Sequence, residues 1–322
     1  MHRLPSRGFL FRQIIRTLVL LALVVAAWQG SQAEARHRVV LQGKGQLVVL
    51  GKDGSVEWSM EWPGIHDLHV LPQGNLMVQQ GSHRVVEIDR ETKQVVWTYD
   101  SSTQNGNAGT PLEVHAFQPL GPDRLMIAET GVKRFIEVDR QGRLLKQTAM
   151  KVDRPHPHTD TRIVRKLDNG NYLACHEGDG VLREYEGATG AVVWEYAVPL
   201  FGKEPADGHG PEAFGNKLFS AVRLANGNTL VATGNGHSVL EVTPAKEIVW
   251  QIHQNDLPGI TLAWVTTLQV LPHGNYVIGN CHAGPGQPIL VEVDPRTKQV
   301  VWQLDGFDRF GNDVSNSVVL PD

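Results

Sequence analysis

Apolar positions along this chain come in short runs rather than in helical stripes. Residues 65–100 hold four such runs, rich in Val, Leu and Ile, divided by Pro72-Gln73-Gly74, Gly81-Ser82-His83 and Glu91-Thr92-Lys93. Short β-branched runs bounded by turn residues predict strands. The four-run unit then recurs. RLMIAETG and FIEVDRQGRLLKQ fall in 112–150, NYLACHEGDG and LREYEGATGAVVWEY in 158–199, NTLVATGNG and VLEVTPAKEIVWQI in 218–254, and NYVIGNCHAG and ILVEVDPRTKQVVWQL in 264–307. Trp58, Trp97, Trp194, Trp250 and Trp302 mark the period, at separations of 39, 97, 56 and 52 residues, with Lys146 at the position of a missing tryptophan in the long gap. Four strands per unit at this period predict β-propeller blades.

The ends complete the count. Residues 39–62 supply three strands and lack the first, and the terminal NDVSNSVVLPD supplies it: Val319-Leu320-Pro321 matches Val70-Leu71-Pro72 and Val270-Leu271-Pro272. The prediction is an all-β, six-bladed propeller over 36–322 whose first blade is closed by the C-terminal strand. Such closure removes the open sheet edges that would invite aggregation.

Residues 1–35 read as a signal peptide. Arg3, Arg7, Arg12 and Arg16 precede an apolar core at 18–28, and Ala33-Glu34-Ala35 gives a small-x-small cleavage site before Arg36. The core is short of the roughly 20 residues a membrane span needs. Ser6-Arg7-Gly8-Phe9-Leu10 is similar to a twin-arginine signal but has one arginine, which favours the general secretory route. No cysteine follows the apolar run, so no lipid anchor is expected. The mature protein is expected to be periplasmic or secreted, monomeric, and without a membrane anchor.

Cleavage leaves 287 residues, which suits one closed domain, and it removes four arginines and one glutamate, taking the formal net charge from −4 to −7. No basic run is interleaved with aromatics, which argues against nucleic-acid and simple polyanion binding. The two cysteines, Cys175 and Cys281, fall near the ends of second strands two blades apart. A disulfide needs Cα atoms within about 7 Å, so two free buried thiols are expected.

Candidate chemistry lies on one face, where the loops at 100–112, 151–158, 199–217 and 255–261 are long; turns on the other face, such as Pro272-His273-Gly274, are minimal. Long loops on a rigid scaffold tend to carry function. At the start of the innermost strands the register aligns His66, Arg162, Phe219, Thr266 and Ser315, with His115 nearby. At the end of the second strands it aligns Gln80, Glu129, His176, Thr233 and Asn280, all polar, where a blade-packing position would be apolar. This second set is expected to form a polar ring around the top of the channel. The loops add His156, His158, His209, His237 and His282. Neutral imidazole is a metal ligand and an acid–base near neutral pH, the Arg162 fork suits carboxylate or sulfate, and Trp264 offers a stacking face.

Any one of these histidines alone reads as a hydrogen-bonded loop residue; the functional reading rests on their clustering. His69, His83, His253 and His273 fall elsewhere, and the five repeat tryptophans read as packing. The expected site gathers His66, His115, Glu129, His158, Arg162, His176 and His282 from at least four blades. Gln80, His209, Trp264 and Asn280 are further ligand-binding candidates, and a divalent metal is the candidate cofactor.

The tails DRETKQVVW, EGATGAVVWEY and DPRTKQVVW resemble the tryptophan-docked repeats of pyrroloquinoline-quinone-like propellers. The blade number, strand order and export signal are more similar to the periplasmic aryl sulfotransferase-type propellers. The chain is shorter than the quinone dehydrogenases and has no adjacent cysteine pair, so pyrroloquinoline quinone itself is not expected. The sulfotransferase resemblance implies a histidine nucleophile assisted by His, Arg and Asn, residue types present here as His282, His176, Arg162 and Asn280. The resulting expectation is an exported propeller with a histidine-rich pocket for a small polar ligand, a carbohydrate or an anionic aromatic. Sulfuryl transfer, elimination or hydrolysis there stays open, as does a non-enzymatic protein-interaction role.

Overall fold

The computed structural model describes residues 37–321. The signal reading of 1–35 and the cleavage before Arg36 lie outside the described residues. The described chain forms six four-stranded antiparallel sheets. In five of them the strands follow chain order from their first members, β4 (Leu68–Val70), β8 (Glu113–Pro119), β12 (Val164–Lys166), β16 (Ser220–Arg223) and β20 (Trp264–Val270). The sixth is β1 (Val39–Gly43), β2 (Gln46–Leu50) and β3 (Val56–Glu61), with β24 (Ser317–Val319) laid against β1. Val39 pairs with Val319 and Leu41 with Ser317. The ends of the propeller domain therefore meet in one blade, as the repeat register predicts.

First strands touch in ring order: β24 meets β4 and β20, β8 meets β4 and β12, and β16 meets β20. They consequently line the centre. Each inner sheet buries both faces, one against each neighbouring blade. Val40, Leu47 and Val49 pack on Leu76, Val78 and Val86 of the next blade. Val39, Leu41, Val48 and Leu50 pack on Val277 and Leu290 of the preceding one. This two-sided burial explains why the runs read as nearly continuous apolar segments rather than as half-polar strands. Outer strands such as β23 (Gln299–Leu304) alternate exposed and half-buried positions.

The repeat tryptophans link blade to blade. The indole Nε1 of Trp58, Trp97, Trp194 and Trp250 donates to the carbonyls of Arg90, Arg140, Pro244 and Pro295 in the next blade, at 2.7, 2.7, 2.9 and 2.8 Å. Lys146 sits opposite Glu137 as Trp97 sits opposite Glu87. In its blade Thr148 Oγ1 instead reaches the corresponding carbonyl of Gly187, at 3.2 Å.

A carboxylate facing Trp97, Lys146, Trp194, Trp250 and Trp302 is a second repeat device. Asn75, Asn171, Asn228 and Asn275 donate to Glu87, Glu184, Glu241 and Glu292 at 2.8, 2.7, 2.6 and 2.7 Å. Basic groups of a neighbouring blade close on the same carboxylates: Arg140 on Glu87, Lys166 on Glu137, Arg223 on Glu184 and His37 on Glu292.

Cys175 and Cys281 are free and buried, and burial raises both thiol pKa values. Among the described residues no helix is long and apolar enough to cross a membrane.

Candidate functional site

The loops entering the first strands, with the loop after the second strand that carries His282, enclose a cavity of about 310 Å³ lined by His66, His158, Arg162, His209, Phe219, Trp264, Thr266, His282, Asp313 and Ser315, among others. Five blades supply these residues. The remaining blade stands behind His158, through Glu113 and His115 at the start of β8. His115 sits at a bulge in the pairing of β8, which leaves its ring in contact with the Glu113 carboxylate.

One wall is a chain of imidazoles and charges. Glu113 Oε2 accepts from His115 Nε2 at 2.7 Å and from His158 Nδ1 at 2.9 Å. With its Nε2 proton on Glu113, His115 presents the Nδ1 lone pair to Arg162 Nη1, 3.1 Å away. Thr161 O lies 3.1 Å from the same nitrogen. The Arg162 Nε–H is held by Glu177. His66 meets His115 edge-on, with ring centroids 4.5 Å apart.

Hydrogen bonds from His115 and His158 outweigh the opposing desolvation at Glu113 and hold its carboxyl at about 2. Burial lowers the His115 pKa against the pull of Glu113, with Arg162 adding to the decrease. Burial, then the charges of His115, Arg162 and His158, push His66 well below the usual imidazole range. The buried imidazoles are therefore neutral at neutral pH. His158, 47% exposed at its side chain, keeps Nε2 free of the Glu113 contact.

The opposite wall is aromatic. His209 lies over Trp264 with centroids 4.7 Å apart at 31°, and His282 stands 5.1 Å from His209. His282 adopts φ 60°, and its backbone N–H is tied to Asn312 O at 2.6 Å, which anchors its main chain at the rim. Burial and His209 lower its pKa, opposed by Asp313. One residue beyond His66, Asp67 is fully buried and takes Arg165 Nη1 and Nη2 at 2.7 and 2.8 Å. Burial raises that carboxyl, but Arg165 and His69 more than reverse it and bring it to about 2.

The site residues read from the sequence separate into two groups. His66, His115, His158, Arg162, His209, Trp264 and His282 come together at the cavity or directly behind it. The set at the end of the second strands does not form a channel ring, which corrects that expectation. His176 is fully buried between Asp160 O and Tyr185 OH, at 2.7 and 2.8 Å. Glu129 is taken by Arg134 and Asn107, at 2.6 and 2.9 Å. Asn280 bonds Ala263 N, Thr261 O and Pro288 O at 2.8, 3.1 and 3.2 Å. Thr233 bonds Ser238, and Gln80 pairs with Arg84 across its hairpin.

The cause is positional. The end of a second strand lies one strand out from the channel, beneath loop backbone whose buried polar groups need partners. His176 and Asn280, two of the residue types implied by the sulfotransferase resemblance, thus lie outside the cavity. His237 is also tied down, between Ala263 O and Ala213 O. Sequence reasoning passed over Glu113, Asp313 and the Asp67–Arg165 pair; the closeness in sequence of Glu113 and His115 was the available signal for the first.

Residues 35–304 match the sequence profile of the family described as outer membrane protein assembly factor BamB. A protein of unknown function from Bacteroides caccae is similar in structure, with a TM-score of 0.71 at 22% identity, covering 89% of this chain and 100% of that one. The WD40 propeller domain of Doa1 gives a TM-score of 0.52 at 12% identity, covering 75% of this chain and 71% of that one. Streptogramin B lyase gives 0.52 at 10% identity, covering 84% and 83%. At these identities the likeness is one of fold. No curated protein matches this chain.

Proposed function

This chain belongs to the family described as outer membrane protein assembly factor BamB, and on that premise we propose that it is an exported propeller that binds a small polar ligand at the mouth of its ring. The observation that carries the reading is a pair of orphaned polar atoms. His66 Nδ1 and Thr266 Oγ1, both on cavity-lining residues, are buried with no hydrogen-bond partner among the described residues. Buried polar groups are nearly always paired, and each exception asks for a partner. Trp264 and His209 supply a face for a sugar or aromatic ring. Arg162 is already engaged by Glu177 and His115, so recognition of a ligand anion falls to the imidazoles of His282 and His209.

Thermal-shift and saturation-transfer NMR measurements on the mature protein, against monosaccharides, aryl carboxylates and aryl sulfates, test the reading. A binder is expected, and Trp264→Ala should weaken it about tenfold, the equivalent of roughly 1.4 kcal/mol. No binder across the panel, or binding indifferent to Trp264→Ala, contradicts the proposal.

A scaffolding role, which the family description suggests, is favoured by one other feature. Outer strands carry exposed apolar residues around the circumference, among them Val56, Val96, Leu145, Val193, Val249 and Val301, 38–55% exposed. On that reading Val96→Lys with Val249→Lys would abolish capture of a protein partner without changing the cavity.

A further inference from the structure

We propose that Glu113, His115 and His158 form a three-ligand site for a divalent transition ion of the zinc class, with the fourth position open to the cavity. The three side chains each offer a ligand atom, all within 4.8 Å of one another. The Glu113–His115 and Glu113–His158 contacts, at 2.7 and 2.9 Å, are a few tenths of an ångström inside the roughly 3.3 Å edge of a tetrahedral shell with bonds of about 2.0–2.1 Å. A small spreading of three side chains, one of them half-exposed, admits the ion.

Four further observations support this set. First, two imidazoles and one carboxylate favour zinc and its first-row neighbours over calcium or magnesium, which take oxygen shells. Second, the local charge suits a cation. Glu113 and Glu177 are two carboxylates against the single guanidinium of Arg162, and Arg162 is drawn toward Glu177. Third, His115 has a ready outer partner. When Nε2 binds the ion, the proton moves to Nδ1, where Thr161 O waits at 3.1 Å, and Arg162 gives up its contact with that nitrogen while keeping Glu177. Ligating histidines almost always place their other nitrogen on such a carbonyl or carboxylate. Fourth, the unpartnered His66 Nδ1 belongs to a ring 4.5 Å from His115 and 6.1 Å from His158. It stands beside the cluster as an acceptor for a metal-bound water or as a fourth ligand.

Three protein ligands with one open position are the pattern of metal sites that polarise a bound oxygen, whereas structural sites are closed by four. Only the occupant of that fourth position rests on the cavity being a ligand site; the metal site stands on its own three residues.

Equilibrium dialysis of the mature protein against Zn²⁺, with metal counted by mass spectrometry, and Co²⁺ titration followed by visible absorption test it together. One equivalent of each ion is expected, with the strong visible bands of four-coordinate cobalt. His158→Ala and, separately, Glu113→Gln should weaken uptake about a hundredfold or more, since loss of outer partners alone costs 10–100-fold. Both residues are partly exposed, so the variants are expected to fold; His253→Ala, remote from the cluster, should bind as the parent does. Trp264→Ala should keep the metal while weakening the small ligand, which separates failure of this proposal from failure of the ligand reading. Uptake below one equivalent in the parent, or uptake that survives both His158→Ala and Glu113→Gln, overturns it.

Discussion

His176 illustrates how a buried imidazole is used when both of its nitrogens have partners. Nδ1–H donates to Asp160 O, Nε2 lies 2.8 Å from Tyr185 OH, whose one proton is shared with Lys151 O, and burial with Arg183 nearby brings its pKa from 6.5 to about 4. Between those values the unfolded chain takes up a proton that the folded chain refuses. The stability is therefore complete above pH 6.5 and is lost as pH falls toward 4, by about 3 kcal/mol for this residue. His66 and His115, lowered in the same direction, add to the slope; Glu113, depressed to about 2, contributes only to losses below the ordinary carboxylate range. Urea unfolding of His176→Gln should show about 1–3 kcal/mol less stability at pH 7 and a flatter pH profile from 7 to 4.5. An unchanged slope contradicts the assignment. The thiols make a simpler case: Cys175 and Cys281 should be inert to a thiol reagent in the folded protein and give two free thiols per chain on denaturation without reductant. At this scale the sequence misled at the second-strand positions because polarity there serves the loops above the blades, and alignment between repeats cannot tell a channel-facing group from a loop-facing one.

Strands and their tryptophans were the most legible elements, since the blades repeat the same turn chemistry and all but one carry the outer-strand tryptophan. Lys146 could be placed in register from spacing alone, and the structure sets it opposite Glu137 as Trp97 sits opposite Glu87. The matching carboxylates went unread, although VEID, IEVD, LEVT and VEVD repeat in the same register; a buried Glu in a strand draws attention only once its neighbouring-blade partner is known. Trp97→Phe keeps the ring under Arg140, whose guanidinium carbon lies 4.4 Å from the ring centroid, and removes the N–H to Arg140 O. It should cost about 1 kcal/mol in denaturant unfolding, and a cost near zero would mean the hydrogen bond is dispensable. The terminal strand β24 is short, but it carries Val319 into a core shared with Val39 and Leu41. Deleting the last ten residues removes that strand and exposes β1, so cooperative thermal unfolding should be lost. A truncated protein that melts as the full one does would refute the closure.

At the scale of the whole molecule, the ring is what brings chemistry together. Residues as distant in sequence as His66 and Ser315 line one cavity because every first strand starts at the same rim. The repeat register made that rim readable, which is why His66 and Arg162 were singled out. The loops and β8 supply Glu113 and Asp313 by local geometry that no repeat encodes. The histidines of this rim are expected to act as one site. The most direct test is a long-range ¹H–¹⁵N spectrum of the histidine side chains in the protein at pH 7, recorded with and without one equivalent of Zn²⁺. The signals of His66, His115 and His158 should move together, His115 should pass its proton from Nε2 to Nδ1, and His176 and His237 should stay in place. Shifts confined to surface histidines such as His83 and His273, with His115 and His158 unmoved, would contradict it.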